Sequence, residues 1–157
     1  VPGTVVGIAS QDDFCNIVVE KYLMNRAIGF GRRLLQILED EHIAYEHMPS
    51  GVDSQCVVVK GVNLSKEKER RVIQAIRREL EPDNVAVERD ITIIMIVGEG
   101  MCYTPGMFAK ACLALASAGI SLSMVNQGSS EVSFMIAIRQ QDRDAAVRAL
   151  YKAFFGR

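Results

Sequence analysis

The sequence predicts an α+β protein of two ferredoxin-like βαββαβ domains, the first inserted into the second, and three observations predict it. The first is internal repetition: Met24, Gly29, Leu38, Ile43 and Gly51 recur as Met101, Gly106, Leu115, Ile120 and Gly128, each pair 77 positions apart. A period this long in two copies is a duplicated small domain, because solenoids stack three or more shorter repeats to bury a continuous core. The second is the order of elements, strand, helix, two strands, helix, strand, which is the split pattern of this fold class. The third is a mismatch at the ends. The later copy stops one strand short, while an unassigned apolar strand, Thr4 to Ala9, lies at the N-terminus. A sheet left with three strands exposes an unpaired edge. The N-terminal strand is therefore expected to complete the later copy, giving domains 13–88 and, discontinuously, 1–12 with 89–157.

Each element has its own warrant. Asn16 to Leu23 is rich in Val and Ile and reads as a strand, broken by Gly29-Phe30-Gly31. Phe30, Leu34, Ile37 and Leu38 then recur at helix spacing and face a core. Ile43 to Met48 alternates as a strand, and Pro49-Ser50-Gly51 turns it into the strand Gln55 to Lys60. Ser65 is an N-cap, with Glu67 in the first turn, for a charged helix bearing Val72, Ile73, Ile76 and Leu80 on its apolar face. Pro82-Asp83 ends that helix, and Val85 to Val87 is a short last strand. The later copy opens with the strand Ile91 to Val97, followed by the loop Gly98 to Gly106. A helix from Met107 to Ala118 places Met107, Ala111, Ala114 and Leu115 inward, with Gly119 as its C-cap. Ile120 to Val125 and Glu131 to Ile138 form a hairpin across Asn126-Gln127-Gly128-Ser129. Asp142 opens the last helix, with Val147, Leu150, Tyr151 and Phe154 inward.

Composition narrows the class of function. An apolar content of 49% with 24% charged residues is that of a soluble globular protein, expected in the cytoplasm. The longest apolar run, Ile91 to Val97, is less than half of a membrane-spanning helix. A formal net charge of -1 gives no general attraction to nucleic acid or to an anionic membrane, so neither is expected as a partner. The chain begins at Val1-Pro2-Gly3 with no initiator Met or signal-peptide pattern and is expected to be a piece of something longer. Cys15, Cys56, Cys102 and Cys112 are widely spaced and read as reduced thiols. Of these, Cys56 and Cys112 read as buried filler and Cys102 as the more exposed. His42 and His47 lack a third ligand at suitable spacing, so no metal is expected.

The loop Gly98-Glu99-Gly100-Met101-Cys102-Tyr103-Thr104-Pro105-Gly106, with Asn126-Gln127-Gly128-Ser129-Ser130-Glu131 after the second strand, resembles the ACT domains of aspartate kinases. The stretch Ile28-Gly29-Phe30-Gly31-Arg32-Arg33-Leu34-Leu35, followed by His47-Met48-Pro49-Ser50-Gly51-Val52-Asp53, is similar to the first ACT domain of the same enzymes. Essentially the whole chain is covered by this resemblance, inserted topology included. It implies a parent enzyme that phosphorylates the side chain of L-aspartate with ATP and Mg, both handled by a kinase domain absent from this piece. The piece itself, not catalytic alone and needing no cofactor, is then the regulatory region that binds lysine, threonine or both as end products. Its further implied partners are the parent's kinase domain and a second copy paired through the ACT sheets.

An amino acid needs clustered N–H donors for its carboxylate and clustered acceptors for its ammonium. Free N–H groups at a helix start supply the first, and Gly29 and Gly31 allow close approach. Carbonyls of the facing strand, Tyr45 to Met48, are candidates for the second. Glu46 is available for a cationic side chain, with Asp53 a further candidate. The position equivalent to Glu46 in the later copy is Ser123, which favours the first copy as a lysine site. By the resemblance, the effector site comprises Met24, Asn25, Ala27, Gly29, Phe30, Gly31, Tyr45, Glu46, Met48, Ser50 and Asp53. The later copy's loop and interface comprise Met101, Thr104, Pro105, Gly106, Asn126, Gln127, Ser129, Ser130 and Glu131. The first copy departs from the family pattern at Ile28, where a proline is usual, and at Pro49-Ser50-Gly51-Val52-Asp53, where a Ser-Ser-Glu entry is usual.

Plain structural readings stand beside these. Glycines before a helix serve turns, Glu46 is also an exposed strand carboxylate, and the charge run Lys66 to Arg71 is also a solvated helix face. RNA binding on this fold class wants aromatic residues on the central strands and a basic face, whereas Val, Ile and Met stand there. No phosphate loop of the Gly-x-x-x-x-Gly-Lys type and no nucleophile with a base at motif spacing is present. A dimerisation module that binds no ligand is the remaining alternative.

Overall fold

The computed structural model describes residues 4–128 and 132–156, with the backbone alone at 102. The chain packs as two units, one of residues 13–90 and one of residues 1–12 with 91–157. The strands are β1 (Val5–Glu20), β2 (Ser54–Lys60), β3 (Asn84–Gly98), β4 (Met124–Asn126) and β5 (Ser133–Arg139). The helices are α1 (Phe30–Asp40), α2 (Lys66–Leu80), α3 (Met107–Ser117) and α4 (Arg143–Phe155).

Two strands are longer than the sequence pattern suggests. The apolar run at Thr4 to Ala9 and the run from Asn16 belong to one strand, β1, and the segments Val85 to Val87 and Ile91 to Val97 to one strand, β3. Asp13 and Asp90 take left-handed φ values of 64° and 57° within them, and the boundary between the units falls at these two residues. Aspartate tolerates this backbone better than most residues with a Cβ.

In the unit 13–90 the strand order is β2, β1, β3, with Val19 opposite Gln55 and Ile17 opposite Val57. Ile17, Val19, Val57 and Val59 meet Phe30, Leu34, Ile37 and Leu38 of α1 and Val72, Ile76 and Leu80 of α2 in one core. Ser65 caps α2 as expected, its hydroxyl accepting from the Lys68 N–H at 3.2 Å. Arg89 on β3 donates to the Leu64 carbonyl at 2.7 Å and to Glu69 at 2.9 Å, tying the strand to the start of α2. Burial alone would raise the Glu69 carboxyl, but the Arg89 hydrogen bond and charge hold it below its usual range. Ile43 to Met48 is not a regular strand. It lies along β2 through an isolated bridge of His47 to Val58 and the hydrogen bonds Glu46 N–H to Val58 O and Val58 N–H to His47 O.

In the other unit the order is β1, β3, β5, β4, with Ile96 opposite Phe134. Val5 of the N-terminal strand joins Ile94, Ile96, Ala111, Leu115, Phe134, Ile136, Ile138, Ala146 and Leu150 in its core. Asp12 accepts from the Thr92 hydroxyl at 2.6 Å and pairs with Arg143. Of the expected strand Ile120 to Val125 only Met124 and Val125 are regular, in β4, which runs on to Asn126 of the expected hairpin tip. On α4, Ala146 takes the inward place expected of Tyr151, which is exposed and packs beside Phe155 with ring centroids 5.1 Å apart. Cys15, Cys56 and Cys112 are free, Cys15 buried and the other two half-buried, and burial raises all three thiols.

The elements of the two units recur at matching spacings. The short 3-10 turns Met24–Arg26 and Met101–Tyr103, and helices α1 and α3, keep the 77-residue offset of the sequence repeat. Beyond the hairpin the offset becomes 79, with β2 starting at 54 and β5 at 133. Conformation follows position: Leu23 (φ 58°) matches Gly100 (φ 66°), and His42 (φ 56°) matches Gly119 (φ 72°).

Two substitutions test this account by chemical denaturation. A Cβ on Gly98 would lie 2.3 Å from the Thr4 carbonyl oxygen. Backbone cannot give way there without moving the N-terminal strand, so Gly98→Ala is expected to cost about 1–3 kcal/mol. His42→Gly removes a left-handed penalty of about 1–2 kcal/mol, set against roughly 0.5–1 kcal/mol of extra entropy lost by glycine, for a net gain of up to about 1.5 kcal/mol.

Candidate functional site

Helix α1 begins at Gly29, whose φ of 78° and ψ of 10° are left-handed, and no side chain caps it. Its first-turn N–H groups lack intrahelical acceptors by the geometry of any helix. No acidic residue stands in that turn, and Arg32 and Arg33 do. Helix α2 presents the contrasting case, capped by Ser65 and carrying Glu67 and Glu69 in its first turn. The Phe30 N–H donates to the Ala27 carbonyl at 3.3 Å and the Arg33 N–H to the Gly29 carbonyl at 3.0 Å, so the start of α1 offers the N–H groups of Gly31 and Arg32 in a positive field.

A cavity of about 280 Å³ opens at this helix start, lined by the 24–31 segment, the turn Ser50-Gly51-Val52 and Gln55. Its size is just below that of most small-molecule sites, about 300–1,000 Å³, as suits a ligand of amino-acid dimensions. Met24 and Phe30 are buried and form its apolar side, whereas Asn25 and Ser50 are exposed at its rim. Gly31 is the floor. A Cβ there would stand 3.5 Å from Gln55 Nε2, 3.7 Å from Gln55 Oε1 and 3.9 Å from Met48 Cε.

The loop leading into the cavity is held by acids. The Asp53 carboxylate accepts from the Leu23 N–H at 2.9 Å, and the Asp53 carbonyl accepts from the Lys21 N–H at 2.9 Å. Asp83 accepts from the Tyr22 N–H at 2.6 Å, and Lys21 Nζ donates to the Leu80 carbonyl at 2.7 Å. Leu23, in a conformation rare for a residue with a Cβ, is fixed by these bonds.

Of the residues expected in the site, Met24, Asn25, Ala27, Gly29, Phe30, Gly31 and Ser50 line this cavity. Met48 is half-buried against the core, its methyl near Gly31. Tyr45 lies elsewhere, beside the C-terminal end of α1 with Leu35, Leu38 and His42. Glu46 does not line the cavity either; it pairs with Lys60 at 3.7 Å. The carbonyls of His47 and Pro49 already accept from Val58 and Cys56. Gly51, Val52 and Gln55 also line the cavity, and sequence reasoning omitted them. The signal for Gln55 was its register: it alternates with Val57 and Val59, so a polar residue stands on the core-facing side of a strand.

In the later unit, Gly106 (φ 86°) starts α3 with no side-chain cap, as Gly29 starts α1. Met101 is buried, Thr104 donates its hydroxyl hydrogen to the Gly100 carbonyl at 3.0 Å, and Pro105, Asn126 and Gln127 are exposed. Ser129, Ser130 and Glu131, and the side chain of Cys102, lie outside the described residues. Among the described residues there is no group of three or more His, Cys, Asp or Glu that could hold a metal ion, and no helix long and apolar enough to cross a membrane.

The sequence model of the ACT domain family matches residues 94–154. Aspartokinase 3 of Bacillus subtilis (strain 168) is 48% identical over 153 residues, which are 98% of this chain and 34% of that protein. The crystal structure of Clostridium acetobutylicum aspartate kinase, described as an allosteric enzyme, matches with a TM-score of 0.92 at 35% identity, over 99% of this chain and 36% of that one. The regulatory subunit of aspartate kinase from Thermus flavus matches with a TM-score of 0.81 at 25% identity, over 96% and 99%. The chain therefore spans about a third of the length of the first two and nearly all of the third.

The Asp53 clip is open to direct measurement. Asp53→Ala removes the acceptor for the Leu23 amide, a loss of about 1.5 kcal/mol, so that amide should exchange with solvent on the order of tenfold faster. Asp53→Asn keeps a carbonyl oxygen in place and is expected to preserve most of the protection.

Proposed function

The chain belongs to the aspartate kinase family as a regulatory region of tandem ACT domains, and we propose that it binds a free amino acid in the cavity at the start of α1 and thereby inhibits its parent enzyme. The observation that carries this reading is the coincidence of the open α1 N-terminus with the cavity lined by Gly29, Gly31, Ser50 and Gln55. By this reading the effector's carboxylate accepts from the first-turn N–H groups of α1, with Arg32 and Arg33 adding to the positive field. Its ammonium donates to the Ser50 hydroxyl and the carbonyls of the 50–52 turn. Its side chain lies toward Asn25 and Gln55.

Lysine and threonine, alone or together, are the effectors to decide between. The cavity lining favours threonine. No carboxylate lines it, the nearest acid in sequence, Asp53, is committed to the Leu23 amide, and Glu46 pairs with Lys60 outside it. A second ammonium would lose hydration there without a counter-charge. A hydroxyl finds partners in the carboxamides of Asn25 and Gln55.

The parent activity in this proposal is ATP-dependent phosphorylation of the side chain of L-aspartate in the cytoplasm, with ATP and Mg held by a kinase domain outside these residues. The effector inhibits only by binding the inactive arrangement more tightly, a coupling of about 1–3 kcal/mol in typical cases, and effector and substrate affinities are then linked reciprocally. Pairing with a second copy through the ACT sheets belongs to the same proposal. The exposed Tyr22, Ile28 and Val52 beside the cavity also favour a second reading, a dimerisation module without a ligand. The two readings part at the response to free amino acids.

The test is calorimetric titration and thermal unfolding of this chain with each of the twenty amino acids. L-threonine is expected to raise the melting temperature, with about 2.7 kcal/mol of stabilisation at a hundredfold excess over Kd. Lysine should do so more weakly. Gly31→Ala meets only ordinary contacts in a helical backbone, so stability is kept or raised while affinity falls at least tenfold. A chain indifferent to every amino acid would leave the dimerisation reading standing.

A further inference from the structure

We infer that the later unit pairs with a second copy of the chain through the outward face of α3, the two helices running antiparallel. Duplication supplies the control. Helices α1 and α3 keep the 77-residue offset and bury matching positions, Leu34 and Leu38 in one, Ala111 and Leu115 in the other. The exposed polar residues Arg32, Gln36 and Glu39 of α1 therefore correspond to Ala109, Leu113 and Ala116 of α3. These three are exposed as well, Leu113 at 69%. Helix α4 departs from α2 in the same sense. It buries Ala146 and Leu150 where α2 buries Val72 and Ile76, which puts the exposed Tyr151 and Phe155 at the positions of Arg77 and Glu81.

Two helix layers of one fold thus carry opposite outer surfaces, solvated on α1 and α2 and apolar on α3 and α4. The fold itself does not ask for the apolar one, since its sibling packs the same core with charged residues outside. A helix that is apolar all round is ordinarily buried, and grouped exposed apolar side chains mark a surface that meets another.

The order of residues along α3 points to a second copy as what meets it. Ala109, Cys112, Leu113 and Ala116 follow helical spacing along one stripe, and their sizes are nearly symmetric about the point between Cys112 and Leu113. With a two-fold axis through that point, Ala109 of one copy faces Ala116 of the other, and Leu113 faces the smaller Cys112. Alanines at both ends let the axes approach to about 8–10 Å. Self-complementarity of this kind is what an isologous interface requires. Charge agrees with it. Lys110, the one charged residue of α3, lies 5.2 Å over the ring of Phe154 on α4, so no like charges meet along the stripe. No acid stands in the first turn of α3 and no base in its last. An antiparallel copy sets the positive start of each helix beside the negative end of the other.

Sedimentation equilibrium over a range of concentrations reads the mass of the chain and its variants. Leu113→Gln, which copies the residue of α1 at that place, should weaken association on the order of a hundredfold, because a two-fold contact contains the change twice. At a fixed concentration the mass then falls toward half, from dimer to monomer, or from tetramer to dimer where the sheets pair as well. Ala109→Arg and Ala116→Glu, which copy Arg32 and Glu39, should each do the same, since a charge facing alanine there loses hydration unpaired. Combined in one chain they should restore association, as the guanidinium and carboxylate then face each other across the axis. Within one chain the two positions are two turns apart, about 10 Å along the helix, and do not pair as residues one turn apart do. All the altered positions are exposed, and an unchanged circular dichroism spectrum checks the fold. A chain monomeric at every concentration, a mass unmoved by Leu113→Gln, or no recovery in the double variant would each overturn the inference. Sedimentation does not read amino-acid binding, so the effector reading stands or falls separately.

Discussion

The start of α1 is the constraint on which the rest of the unit 13–90 depends. A helix leaves its first N–H groups without internal partners, and α2 shows how this chain meets that requirement when nothing else is needed, with Ser65 as cap and acids in the first turn. Helix α1 does neither. Gly29 enters it in a left-handed conformation that directs no side chain back over the end, and the first turn carries arginines. Keeping this end uncovered yet usable requires a rigid approach, which the Asp53 and Asp83 bonds to the 21–23 loop provide. It also requires an opposite wall, supplied by the turn after Pro49 and by Gln55. The cavity follows from withholding a cap and fixing the surroundings.

Much of this was legible in the sequence, and what was not has identifiable causes. The repeat announced two units because the shared residues are core positions, Met24, Leu38 and Ile43 with Met101, Leu115 and Ile120, and the left-handed helix starts Gly29 and Gly106. The apolar stripe of α1 was readable because all four of Phe30, Leu34, Ile37 and Leu38 are buried. The continuity of β1 and β3 was hidden by Asp13 and Asp90, which look like loop residues and are instead left-handed positions inside strands. Ile43 to Met48 alternates like a strand yet lies at an edge, held by a few bonds to β2, so the pattern exceeds the pairing. Tyr151 fits the helical period as well as Ala146 does, and only packing between α3 and α4 chooses the smaller side chain.

The candidate site was readable on its helix side and obscure on its strand side. Residues 24–31 stand next to one another in sequence, so a single motif delivers that wall. The opposite wall arrives by register, and register depends on the length of the hairpin. The change of offset from 77 to 79 residues lies between Gly51 and Gly128 on one side and β2 and β5 on the other, past the last identical pair of the repeat. Glu46 attracted attention as the one acid on the second strand, whereas its carboxylate turns to Lys60. Gln55 looked like an ordinary strand start, although its alternation with Val57 and Val59 places it on the helix side.

Divergence between the units follows a pattern that packing energetics explains. At Leu23 and His42 the earlier unit keeps side chains in left-handed conformations where the later unit has Gly100 and Gly119, so it carries strain its sibling has shed. At Gly31 and Gln55 it gives up an aromatic contact, worth about 0.5–1.5 kcal/mol beyond burial, that its sibling makes with Phe108 and Phe134. The second difference leaves open space beside the start of α1 where the sibling has two rings in contact. On the proposed function, a ligand in that gap restores contacts that the fold there lacks. On that reading the unit 13–90 responds to a small molecule in stability as well as in occupancy. Duplication permits such asymmetry, because one copy can keep in its core an aromatic contact that the other lacks.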